Sequence, residues 1–181
     1  MTIHQLTVSL LEVEPAVWRR IEVDSDTDLG TFAWLLNQAM GWEFTHLHFF
    51  EVDGRAYGPG AEDAPDDELD EASVTVADVL PSMGSALTWV YDLGDRWEHD
   101  VVVEDVLEPE DGASYPRCID GARACPPEDA GGPHGYETLL EAIEDPDDPE
   151  AEELREWLGD DFDPEHFDAA RRTAAMQTSR D

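Results

Sequence analysis

The opening of the chain alternates apolar and polar residues with a period of two, and that period most constrains what it can fold into. His4, Leu6, Val8 and Leu10 alternate with Gln5, Thr7 and Ser9. After a turn over Val13–Ala16, Val17, Arg19, Ile21 and Val23 alternate with Trp18, Arg20 and Glu22. Successive strand residues point to opposite faces, so each run gathers its apolar set on one side. A hairpin of this kind buries one face and leaves the other to water. The rest of the chain must supply neighbouring strands and a layer to cover the buried face.

Both are legible. Asp26, Thr27 and Asp28 are acceptors suited to a helix start. Leu29, Phe32, Leu36 and Ala39 or Met40 follow at helical spacing, and Gly41 suits the stop. Gly30 weakens this helix. Leu47–Asp53 reads as a strand, with Asp53-Gly54 as a hairpin turn. Ala61–Ala72 carries seven acids in twelve residues and reads as a solvated loop without the spacing of a helix–loop–helix calcium site. Val74–Leu80 reads as a short strand and a helical turn. Leu87–Asp92 and Trp97–Val106 flank the turn Leu93–Arg96 in a second hairpin. Leu139, Leu140 and Ile143 then share a helical face. A break over Asp145–Pro149 leads to Leu154, Trp157 and Leu158, stopped by Gly159. Asp163-Pro164 reads as the start of a last helix that turns Phe167 and Ala170 inward. The fold class is α+β: a mixed or antiparallel sheet built from hairpins, one helix after the first hairpin, and a C-terminal set of helices packed on the sheet. Residues 3–172 read as a single domain and 173–181 as a frayed tail.

The charge balance narrows the partners. Ten basic residues, all arginine, face 45 acidic ones, for a net charge of −35. Nucleic-acid affinity rests on Lys and Arg at phosphates, and the doublets Arg19-Arg20 and Arg171-Arg172 make no patch for it, so direct nucleic-acid binding is not expected. Self-repulsion of this size destabilises a compact state in low salt and is relieved as screening shortens. Adaptation to a salt-rich interior is one reading of the acidity, and a genome poor in lysine codons is the other. No basic region followed by an apolar run opens the sequence, and no stretch approaches the length of a membrane span. The expectation is a cytoplasmic protein, with no membrane and with its two cysteines reduced.

Tyr115–Tyr136, YPRCIDGARACPPEDAGGPHGY, shows neither period. Both cysteines lie in it, with four prolines and four glycines, and it reads as an irregular loop that holds particular side chains. Cys118 and Cys125 stand too far apart for a zinc knuckle, so a structural zinc would need His99 or His134 as well. Pro126-Pro127-Glu128-Asp129 reads as a helix entry with acids in its first turn. Gly131–Gly135 lacks the strand-before, helix-after order of a phosphate loop. In the second hairpin, Asp92, Asp95 and His99 are residue types for a metal or for proton transfer, and His99 shares a strand face with Trp97 and Val101. The structural reading of the same turn has Asp92 and Asp95 accepting backbone hydrogen bonds and Gly94 supplying a positive φ. His46 and His48 flank Leu47. Both imidazoles face one ligand if all three residues lie on a strand, and they part if His46 sits in the preceding turn.

Four blocks together carry a family resemblance: VEPAVWRRIEV (13–23), GWEFTHLHFFEVDGRAYG (41–58), VYDLGDRWEHDVVVE (90–104) and the Tyr115–Tyr136 segment, extended by EWLGDDFDPEHFD (156–168). The chain resembles the plasmid pRiA4b ORF-3-like family from about residue 3 to residue 172. The resemblance implies a small cytoplasmic α+β protein of a kind carried on plasmids, in insertion sequences and on chromosomes. It implies no established activity and no catalytic residues. Some insertion-sequence members carry a resolvase-like label. A serine recombinase needs arginine-supported serine chemistry and a basic DNA-binding region, and a chain of this charge offers neither.

The functional expectation is a non-enzymatic binding module with a protein partner in mobile-element or regulatory biology. The alternative is a small metal-dependent hydrolase with a divalent ion. The candidate functional pocket draws on His48, Asp92, Asp95, Trp97, His99, Cys125, Glu128 and Asp129, and the hydrolase site would use these without Trp97. The weaker zinc set is Cys118, Cys125, His99 and His134.

Overall fold

The two alternating runs become β1 (Ile3–Leu10) and β2 (Trp18–Asp24), paired antiparallel with Leu6 opposite Ile21 and Val8 opposite Arg19. The computed structural model describes residues 2–60, 67–145, 147, 149–159 and 162–178. Helix α1 (Leu29–Met40) starts where the sequence puts it. The Asp28 carboxylate accepts from the Thr31 amide at 2.9 Å, and Gly41 ends the helix at φ 126°. Strands β3 (His48–Val52) and β4 (Arg55–Gly58) turn on Asp53-Gly54, and the short β5 (Leu69–Asp70) adds in parallel to β4. A 3₁₀ turn over Glu71–Ser73 and the one-turn helix α2 (Val76–Val79) lead into the second hairpin, β6 (Ala86–Tyr91) and β7 (Trp97–Leu107). Strand β8 (Arg117–Ala122) and helices α3 (Gly132–Glu144), α4 (Ala151–Leu158) and α5 (Ala169–Met176) complete the chain.

The eight strands form one mixed sheet in the order β5-β4-β3-β6-β7-β1-β2-β8. Its inner face carries Leu6, Val8, Ile21, Phe50, Trp89, Trp97 and Val101, all fully buried, with Phe32 and Leu36 of α1 in the same core. The other face is largely polar, although Val90 and Glu22 on it are also buried. Arg20 bridges Glu104 and Asp120 there, and Arg117 bridges Glu22 and Glu110. Alternation divides the Arg19-Arg20 doublet between these faces. Arg19 turns inward at 1% exposure, where it donates to the carbonyls of Trp18, Ala39, Met40 and Ala122. A buried guanidinium needs such full satisfaction, and here it also closes the C-terminal end of α1.

Several expectations are corrected. The Tyr115–Tyr136 segment is not loop throughout. Its first part is the edge strand β8, hydrogen-bonded to β2, and its last part begins α3. Pro126–Asp129 opens no helix, because α3 starts at Gly132. The last helix starts at Asp168, whose carboxylate accepts from the Arg171 amide at 3.0 Å, and not at Asp163; Ala170 faces solvent. Residues 173–176 belong to α5, and Met176 is buried in the core, so this part of the expected tail is structural. Within the acidic run, residues 61–66 lie outside the described residues. Glu71 at its end is buried and bonded to His48, where a solvated acid was expected. Gly30 makes room for that carboxylate: a Cβ there would stand 3.1 Å from Glu71 Oε1.

Candidate metal centre

Three loops meet at the end of the sheet where β3 starts and β6 finishes. They are the segment before β3 (residues 43–47), the β6–β7 turn and the Pro126–Gly131 stretch. Asp92 shapes the turn. Its Oδ1 accepts from the amides of Gly94 and Asp95, and its own amide donates to the Leu47 carbonyl. The positive φ falls on Asp92 itself, at 59°, and on Arg96, at 56°, and not on Gly94. Asp95 reaches across, and its Oδ2 accepts from the Gly131 amide at 2.9 Å. That bond brings Asp129, also left-handed at φ 56°, to the turn.

His46 sits between these loops. Its Nδ1 is 3.6 Å from Asp92 Oδ2, and its Nε2 is 3.3 Å from Asp129 Oδ1 and 3.7 Å from Glu128 Oε2. Among the described residues, His46, Asp92 and Asp129 are the group of ligand-type side chains whose donor atoms all lie within 4.8 Å of one another. Three donors about 2.1 Å from one ion stand roughly 3.0–3.6 Å apart and only one imidazole nitrogen can ligate, so closing on an ion needs a movement of about 1 Å. The Asp129 side chain, 76% exposed, can make it.

The support behind these ligands is ordered. The Tyr91 hydroxyl donates to Glu128 Oε1 at 3.0 Å and accepts from the Thr45 amide at 3.1 Å. Glu128 Oε1 also accepts from the Glu43 amide at 2.8 Å. Burial raises the Tyr91 pKa, with Glu128 adding in the same direction, so the phenol stays a donor. Glu128 Oε2 is buried without a hydrogen bond and lies on the side of the imidazole. An orphaned carboxylate oxygen is costly unless a cation or donor completes it. One imidazole with carboxylates around it suits Mn²⁺ or Zn²⁺.

Of the residues singled out in the sequence, Asp92, Asp95, Glu128 and Asp129 come together here. His48 does not join them. It stands 2.9 Å from Glu71, and His46 lies in the turn before the strand, so the two imidazoles serve different neighbours. Trp97 and His99 are fully buried core residues. His99 Nδ1 donates to the Trp89 carbonyl, its ring meets Trp42 edge-on, and burial pushes its pKa down to about 3. The Cys125 thiol is interior and packs beneath Gly41, and burial raises it well above its ordinary pKa. Cys118 lies on β8 with its thiol pushed up to about 11 by burial. The His134 side chain is 94% exposed on α3. Among the described residues, the set Cys118, Cys125, His99 and His134 makes no metal group. His46 is raised in the sequence beside His48 but not placed in the pocket. Its signal was its place in the turn ahead of β3, a neighbour of the β6 end across the sheet.

The class defined by this fold and site is an α+β protein with a one-sided sheet and a cation-type cluster on loops at its end. The chain belongs to the plasmid pRiA4b ORF-3-like family, whose model matches residues 2–171. It is 34% identical over 164 residues to the uncharacterized protein y4hQ of Sinorhizobium fredii, covering 90% of this chain and 84% of that one. It is similar to the crystal structure of a protein of unknown function, MM3350, from Methanosarcina mazei Go1. The TM-score is 0.84 at 34% identity, with 93% of this chain and 96% of the other covered. No helix among the described residues is long and apolar enough to cross a membrane.

Proposed function

We propose that the protein is a divalent-cation-binding module, with the ion held by His46, Asp92 and Asp129 and with Glu128 beside it. The observation that carries this reading is the convergence of those donor atoms within 4.8 Å. Leu47 and Leu93, 47% and 52% exposed, come from two of the same loops and offer an apolar contact for a protein partner. The ion orders the loops that present them. A role in mobile-element or regulatory biology fits such a module, and the free cysteines fit a cytoplasmic setting. Raised thiol pKa values at both cysteines weigh against cysteine nucleophiles.

Calorimetric titration with Mn²⁺ and Zn²⁺, in enough KCl to screen diffuse counterion binding, is expected to show one site. His46→Ala and Asp92→Asn should abolish it, and His48→Ala should preserve it. Equal binding by the His46→Ala protein would sink the proposal. The exposed flank at Asp129 favours a second reading, a small metal-dependent hydrolase using the same ligands. Metal-dependent turnover of simple esters or phosphate esters, lost in Asp92→Asn, would decide for it.

A further inference from the structure

In a chain with 45 acids and ten arginines, an arginine without a carboxylate partner stands out. Arg20, Arg96, Arg117 and Arg123 each pair with an acid. Arg55 and Arg155 have no such pair among the described residues, and neither do Arg19, Arg171 and Arg172. The last three line a single cleft of about 260 Å³ between the C-terminal end of α1 and the start of α5. His166 stands in the same lining, and Met40, Phe162 and Phe167 form its apolar part.

Part of this positive charge has a structural use. Arg19 donates to the carbonyls of Ala39 and Met40, and Arg172 donates to that of Gln38 at 3.2 Å. A helix C-terminus carries about half a negative charge. Asp168 adds one more, but its Oδ1 is bonded to the Arg171 amide. Three guanidiniums against these leave a surplus of roughly +1.5, in a molecule that is otherwise strongly negative. Burial lowers the Arg172 pKa, and the neighbouring Arg171 lowers it further, with Asp168 opposing both.

We propose that this cleft binds a small phosphate-bearing molecule. The planar guanidinium fork matches phosphate oxygens, and Arg171, exposed and outside the α1 cap, is the residue free to grip them. The Phe162 and Phe167 wall accommodates an organic group, and the volume admits a small molecule only. The field of the whole chain turns away polyanions, so the local charge selects a compact ligand and not a nucleic acid.

The test is a titration of the full chain with inorganic phosphate and with phenyl phosphate, at matched ionic strength against chloride. A chelator is present throughout, which separates this cleft from the metal centre. Both binding and a raised Tm are expected. Tighter binding of phenyl phosphate identifies an organic ester as the ligand type, and equal binding identifies free phosphate. Arg171→Glu should weaken binding by about tenfold or more while leaving the Tm in chloride unchanged, and Arg171→Gln provides the same reading should the charge reversal disturb folding. No binding by the native chain, or undiminished binding by the Arg171 variants, overturns the proposal.

Discussion

His99 shows what burial does to a single titratable group. Its ring is enclosed by Trp42 and Trp89, and its Nε2 has no hydrogen-bond partner. The folded pKa of about 3 lies below the ordinary 6.5. Between those values the unfolded chain binds a proton that the folded chain refuses. Stability is therefore fully present above pH 6.5 and declines as pH falls, with a slope approaching about 1.4 kcal/mol per pH unit. Chemical denaturation at pH 7.5 and pH 5 should find about 2 kcal/mol lost. His99→Asn should reduce that loss even if its own stability is lower, and an unchanged pH dependence would mean the imidazole is not held neutral. His48 and Tyr91 separate stability from metal binding. His48→Ala leaves the buried Glu71 carboxylate without its imidazole and should cost about 3 kcal/mol, with the Mn²⁺ affinity unchanged. Tyr91→Phe removes the hydroxyl that joins Thr45 to Glu128 and should weaken metal affinity by about tenfold or more. Calorimetry and denaturation on the same two variants check both.

Among the elements, β8 and α5 depend on each other. β8 is an edge strand, and an uncovered edge exposes unpaired amides. Thr173 covers one: its Oγ accepts from the Cys118 amide at 2.9 Å and donates to the Cys118 carbonyl at 3.0 Å. Gln177 adds a bond to the Pro116 carbonyl, and Met176 enters the core. Met176→Ala should cost about 2–5 kcal/mol, and Thr173→Val about 1–2 kcal/mol, by urea denaturation; a neutral result at both positions would show that α5 merely rests on the strand. These two elements are also where the sequence says least. β1, β2, α1 and the β6–β7 hairpin announce themselves because period, cap and turn residues agree locally. β8 has no alternating core face, since Ile119 is exposed and only Cys118 is buried, so its existence is decided by its pairing to β2. Polar Thr173 likewise looks like a fraying end until its partner Cys118 is known. The candidate metal centre was half legible for the same reason. Asp92, Asp95, Glu128 and Asp129 carry a residue-type signal, whereas choosing His46 over His48 and His99 needs the sheet order that sets β3 beside β6.

At the scale of the whole molecule, charge decides the response to salt. Two effects oppose each other. The polar-face ion pairs of Arg20 and Arg117 weaken as salt screens them, but partly exposed pairs contribute only about 0–1 kcal/mol each. Against them stands the mutual repulsion of a −35 chain. Raising salt from 0.1 M to 1 M shortens the screening length from about 10 Å to about 3 Å, less than the spacing of most surface acids. Repulsion therefore loses more than the ion pairs do, and Tm should rise with KCl. Sucrose, which favours burial by exclusion without screening, is the control that isolates the electrostatic part. A Tm that rises with KCl well beyond any rise in sucrose supports adaptation to a salt-rich interior. A flat or falling Tm would assign the acidity to composition alone. The same titration bears on both proposed sites, because the stretch from Cys125 to Asp129 lines the arginine cleft at one end and the candidate metal centre at the other. Screening should weaken phosphate binding at exposed Arg171 more than cation binding at the largely buried Asp92, since screening acts least on buried charges. Phosphate and Mn²⁺ affinities measured across that salt range should diverge, with the phosphate affinity falling faster.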